Sequence, residues 1–91
     1  MRIPKKLSAF GHCYKVRLQK KIKGGWLGEI NYQKHLITIL DHRPQTEKEE
    51  SLLHEACHLV NTETKQNLKE KQVDQMAMGL YHILKDNKFI K

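Results

Sequence analysis

Apolar residues alternate with polar ones up to Asp41 and recur every three or four positions from Thr46 onward. A period of two marks a strand with one buried face, and a period near 3.6 marks an amphipathic helix. A chain with this one switch makes its sheet first and its helices second, so the expected class is α+β. From Cys13 to Gln19, Tyr14, Val16 and Leu18 share a face. From about Trp26 to Tyr32, Ile30 and Tyr32 do so, with Glu29 and Asn31 opposite. From His35 to Asp41, Ile37 and Ile39 are in register, and Leu36 and Leu40 are apolar on the other face, so this strand is expected to be covered on both sides. Short links, one of them through Gly24-Gly25, favour an antiparallel meander of about three strands over 13–41. Residues 1–12, broken by Pro4 and Gly11, read as a basic lead-in.

Asp41 to Gln45, with Pro44, ends the sheet. Thr46 and Glu49 have the spacing of a capping box, which starts a helix over 46–62. Leu52, Leu53, Ala56, Leu59 and Val60 give it a broad apolar face. A second helix is expected over 67–86, with a stripe of Val73, Ala77, Leu80 and Leu84 and with Met76 and Ile83 beside it. The link between the helices is short, so they should pack antiparallel.

The first helix contains His54-Glu55-Ala56-Cys57-His58, an H-E-x-x-H pattern. Residues four apart lie one above the other on a helix, so both imidazoles can reach one metal ion. Glu55 projects about 100° around the helix from His54, where it can hold and deprotonate a metal-bound water. Extending the stripe of the second helix backwards leads to Glu70, an inward carboxylate that needs a cation or metal. In an antiparallel pair Glu70 comes level with His58. Two His and one Glu leave a fourth position open, the pattern of catalytic rather than structural zinc. Asp74, one turn further on, can orient a ligand histidine through its distal N–H. The plainer alternative is that Glu70 and Asp74 are solvated acids near a helix N-terminus. His12, His35 and His42 read as surface histidines near strand ends. Tyr81 and His82, about 16 Å along the helix, read as too distant from the metal to act on it.

Ninety-one residues fit a single domain, 1–91, whose limited core a bound metal could supplement. The net charge of +7 points to an anionic partner, an acidic substrate or nucleic acid. Ten acidic residues are mixed in and no dense Arg stripe appears, so a Lys-rich surface accounts for the charge and nucleic acid is not favoured. Cys13 and Cys57 lack a CxxC spacing, and Cys57 is expected to be a small core residue. No apolar run follows the basic N-terminus and none approaches membrane-spanning length, so a cytoplasmic protein without membrane contact is expected.

The residues His54-Glu55-Ala56-Cys57-His58 followed by Glu70-x-x-x-Asp74 resemble the gluzincin class of zinc metallopeptidases. Within that class, Glu70-x-x-Val73-Asp74-x-Met76-Ala77 is similar to the E-x-x-A-N-x-F-A segment of ImmA/IrrE-type peptidases. Gly28 to Tyr32 and Gly79 to Asn87 look like small phage-encoded proteins of that group. The resemblance spans roughly 13–87. It implies a minimal zincin-like core, zinc on His54, His58 and Glu70, and Glu55 as general base. It also implies a peptide or protein substrate, such as a repressor-type regulator. The interval 59–69 is shorter than in larger gluzincins and leaves little room for a substrate-shaping subdomain. The alternative reading is a non-catalytic, zinc-stabilised basic module that binds a host protein or nucleic acid.

Overall fold

The computed structural model describes residues 2–90; Met1 of the basic lead-in and Lys91 lie outside the described residues. Four strands and two helices follow in chain order: β1 (Lys6–Ala9), β2 (His12–Gln19), β3 (Gly28–Asn31), β4 (Leu36–Leu40), α1 (Gln45–Thr64) and α2 (Glu70–Asp86). The fold is α+β, with a mixed sheet in the order β1-β2-β4-β3.

The lead-in contributes a strand. Leu7 and Ala9 turn towards the core while Lys6 and Ser8 face solvent, an alternation too short to stand out in the sequence. Phe10 and Gly11 both have positive φ, 53° and 79°, and join β1 to β2 as a two-residue turn matched to the twist of a hairpin.

The antiparallel meander is not what forms. β2 pairs with β4 in parallel, and β3 lies beyond β4 as an antiparallel edge. The cause is the composition of β4. Ile37, Thr38 and Ile39 are buried, so this strand takes a central place, covered on both sides as its sequence suggests. β3 offers few apolar side chains and goes to the edge. The link over 20–27 makes the crossing, anchored by the buried Ile22.

Tyr14, Ile37 and Ile39 from the sheet meet Leu52 and Leu59 of α1 to form the core. α1 begins at Gln45, because Pro44 at φ −53° occupies the cap position and its carbonyl accepts from Lys48 N. The expected Thr46–Glu49 capping box is therefore absent. Glu49 is instead wholly buried, accepting from Tyr81 Oη at 2.6 Å and pairing with Lys85 Nζ at 3.3 Å. α2 lies on α1 and starts at Glu70, not at residue 67, since Asn67 has a positive φ of 57°. Its buried stripe is Val73, Ala77 and Tyr81; Leu80, Met76 and Ile83 are exposed. The stripe is displaced because α2 rests on α1 alone, and the Glu49 carboxylate draws Tyr81 inward. Cys57 is half-buried and Cys13 exposed, and both thiols are free. Among the described residues no helix is long and apolar enough to cross a membrane.

Burial pushes the Glu49 carboxyl up, but hydrogen bonds, those of Tyr81 and Lys85 among them, outweigh it and hold the pKa at about 2. The folded pKa is thus below the unfolded value. The stabilisation is complete above pH ~4.5 and is lost as pH falls towards 2. Glu49→Gln should cost about 1–3 kcal/mol at pH 7 in chemical denaturation. The gap from the native chain should close as pH drops from about 4.5 towards 2. A gap that is constant over that window would mean that the Glu49 charge does not stabilise the fold.

Candidate metal centre

Two local devices set the register of α1 on α2. At the C-terminus of α1, Lys65 adopts a left-handed conformation, and Gln66 N donates to Asn61 O at 3.2 Å. The Asn61 side chain then holds the turn closed: its Oδ1 accepts from Leu68 N at 2.9 Å and its Nδ2 donates to Leu68 O at 3.2 Å. Asn61 therefore clamps the link. Glu70 becomes the first residue of α2, opposite His58. At the far end, the Tyr81–Glu49 bond fixes the same antiparallel register.

His54, His58, Glu70 and Asp74 converge along this seam. His54 Nδ1 lies 3.1 Å from Asp74 Oδ1 and His54 Nε2 lies 3.0 Å from Glu70 Oε1. His58 Nε2 lies 2.8 Å from Glu70 Oε2 and 3.0 Å from His54 Nε2. Asp74 sits where it can accept from Nδ1–H, and that assigns the tautomer. In neutral His54, Nε2 is then a lone-pair acceptor facing a carboxylate oxygen. A proton on Nε2 or a cation between the two atoms satisfies this pair. His58 Nε2 aims at the same point, so a metal ion placed there would meet all three side chains at once. Ligand atoms from His54, His58 and Glu70 all lie within 4.8 Å of one another. Tetrahedral zinc with bonds near 2.0–2.1 Å needs ligand atoms about 3.3 Å apart. The two Nε2 atoms are 3.0 Å apart and each lies within 3.0 Å of one Glu70 oxygen, so the three side chains could hold such an ion.

The site is open on one side. The Glu70 and Asp74 side chains are 67% and 60% exposed, so Glu70 does not point into a core as the stripe suggests, but lies over the two histidines from the rim. Partial burial raises the Glu70 pKa, but hydrogen bonds and charge from His58 and His54 outweigh this and keep the carboxyl below its ordinary value.

Glu55 differs from its neighbours. It is buried against β3, where a Cβ on Gly28 would lie 3.6 Å from its Cγ and 3.3 Å from both Ile39 Cδ1 and Thr38 O. The absent side chain at Gly28 lets α1 approach the edge strand closely. Burial pushes the Glu55 carboxyl up to about 7; Glu70 and Glu29 add to this, and His58 opposes it. No described residue donates a hydrogen bond to this carboxylate. It opens into a cleft of ≈ 330 Å³ that His54, Glu70 and Asp74 also line, walled by Trp26, Leu27 and Gly28. A base with a pKa near neutrality in a cleft beside a metal site can take a proton from water and return it.

The structure thus brings together His54, Glu55, His58, Glu70 and Asp74. His12 and His35 lie elsewhere, with ring centroids 4.8 Å apart. Sequence reasoning missed Tyr81, Asn61 and the wall made by Trp26, Leu27 and Gly28. Tyr81 could have been found from its spacing of four residues from Ala77. The other residues carry no periodic signal. No family model, curated protein or solved structure matches the chain.

The geometry separates the two carboxylates of α2 by their effect on metal binding. Glu70→Gln removes a donor and should weaken zinc binding clearly in competition with a chelator. Asp74→Ala removes only the group that orients His54, so affinity should fall about 10–100-fold while one ion is still bound. Unchanged affinity in Glu70→Gln would remove Glu70 from the donor set.

Proposed function

We propose that this chain is a zinc-dependent metallopeptidase of the gluzincin type, similar in its motif residues to ImmA/IrrE-type peptidases. It would hydrolyse peptide bonds in a protein substrate, with a regulatory protein as the leading candidate. The observation that carries the reading is the convergence of His54 Nε2, His58 Nε2 and the Glu70 carboxylate, with buried Glu55 in the same cleft. Bound zinc supplies a Lewis acid that polarises a carbonyl and acidifies water.

His54 and His58 present their Nε2 atoms, and Asp74 holds His54 in the tautomer that leaves its lone pair free. Glu70 contributes negative charge and closes the donor set from α2. Glu55, raised towards neutrality by burial, takes a proton from the attacking water and passes it to the leaving amine. β3 is an edge strand and Gly28 lines the cleft, so an extended peptide can pair with β3 and run past Glu55. The exposed Trp26 and Leu27 supply an apolar wall for one of its side chains.

The discriminating variant is Glu55→Gln, because this residue is not needed to hold a metal. Zinc content and folding should be retained while hydrolysis falls by about 10²–10⁴-fold. The assay should use acidic proteins and repressor-type regulators, compared by mass spectrometry of the products. Undiminished activity in Glu55→Gln would exclude it as the base. A wild-type protein that binds zinc and cleaves no member of such a panel would contradict the peptidase reading.

A further inference from the structure

The acidic residues are not mixed evenly with the basic ones, as composition alone suggests; the positive charge is segregated. Residues 1–28 contain eight of its 17 Lys and Arg and none of its ten Asp and Glu, so this segment carries +8 and the remainder −1. The fold gathers much of that charge at the sheet edge opposite β3, on the hairpin of β1 and β2. Lys5, Lys6, Lys15 and Arg17 line one groove of ≈ 550 Å³ together with Ile3, Val16, Leu18 and Leu36, and no carboxylate lines it. Lys6 and Lys15 are directly opposed across the antiparallel pair, so their side chains share a face, and Arg17 follows on that face. Like charges in that relation destabilise a hairpin. Lys20, Lys21 and Lys23 extend the run from the end of β2. Among the described residues none of the cations from Arg2 to Lys23 is in an ion pair, whereas Arg43, Lys48 and Lys85 each are.

We propose that the β1–β2 hairpin and the lysines that follow it form a docking surface for the phosphate backbone of nucleic acid. A polyanion offsets the repulsion between Lys6 and Lys15 and gains by releasing its condensed counterions. The character of the groove selects this partner over two others. An acidic protein presents scattered carboxylates among other side chains, whereas eight cations uninterrupted by any acid over residues 1–28 match a partner whose negative charge is continuous. Lys acts as a point charge and meets phosphate oxygens from many directions. A bilayer calls for an apolar helix face or wedge beside the cations. Here the cations stand on strands, and Ile3, Val16 and Leu36 are half-buried, leaving only Leu18 of the groove's apolar residues exposed. This surface does not rest on the metal-centre reading, since none of its residues lines the cleft at Glu55.

The test is a titration of a labelled random-sequence DNA, single-stranded and duplex, between 50 and 200 mM salt. Wild-type affinity should fall steeply with salt. Lys6→Gln/Lys15→Gln/Arg17→Gln should lose about tenfold or more in affinity at the lower salt, and its salt slope should shrink by about 2–3. Lys34→Gln/Lys65→Gln/Lys71→Gln loses the same charge elsewhere and should change affinity little. Removing an unfavourable pair should leave the melting temperature of the first variant unchanged or higher; the single variants Lys6→Gln and Arg17→Gln guard against a folding artefact. Equal losses in the two triple variants would overturn the localisation. Absence of DNA binding at 50 mM salt would overturn the proposal. So would hairpin-dependent binding of poly-glutamate or phosphatidylserine vesicles with none to DNA, which would assign the surface to an acidic protein or a membrane.

Discussion

His54 Nδ1 and the Asp74 carboxylate, 3.1 Å apart, decide what the rest of the site can be. The contact commits the proton of the neutral imidazole to one side and turns the lone pair of Nε2 towards Glu70. With that lone pair and the Nε2 of His58 both facing the Glu70 carboxylate, the three groups are arranged so that one cation could be shared among them. The contact exists only because α1 and α2 pack antiparallel in one register. Asn61 on the Leu68 backbone fixes that register at one end of the seam, and Tyr81 on Glu49 fixes it at the other. One helical turn of slippage, about 5.4 Å, would leave His58 without Glu70.

Glu49 and Glu55 are two buried glutamates on one helix, and their surroundings give them opposite properties. Glu49 is met by Tyr81 and Lys85 and stays ionised far below its ordinary range. Glu55 receives no such hydrogen bonds and is pushed up by burial. The first group strengthens the helix seam, and the second is poised to exchange a proton. Neighbouring carboxyls set apart in this way fit a division between structure and chemistry.

The α+β class and both helices are legible from the periods of the sequence, and so are the residues that converge in the site. His54, Glu55 and His58 lie within five consecutive positions, so helix geometry alone relates them. Glu70 and Asp74 need only an antiparallel partner helix. The sheet order is harder to read. Alternation shows that Leu36 to Leu40 is apolar on both faces, but only pairing energetics over the whole sheet place it between β2 and β3. β1 is hidden because Leu7 and Ala9 are too few to make a pattern. Glu49 reads as a capping residue because local spacing cannot reveal that Tyr81, 32 residues later, will reach it. The cleft wall of Trp26, Leu27 and Gly28 comes from a crossing loop, whose path depends on the sheet order.

The sheet separates two kinds of surface, with the His54–Glu70 cleft at the β3 edge and the cationic groove at the β1 edge. Of these, the cleft carries the central claim, that the seam between α1 and α2 holds a metal ion. Elemental analysis of protein loaded with zinc and then freed of excess metal tests it most directly. One zinc per chain is predicted, and a folded chain that retains none after this treatment would contradict it.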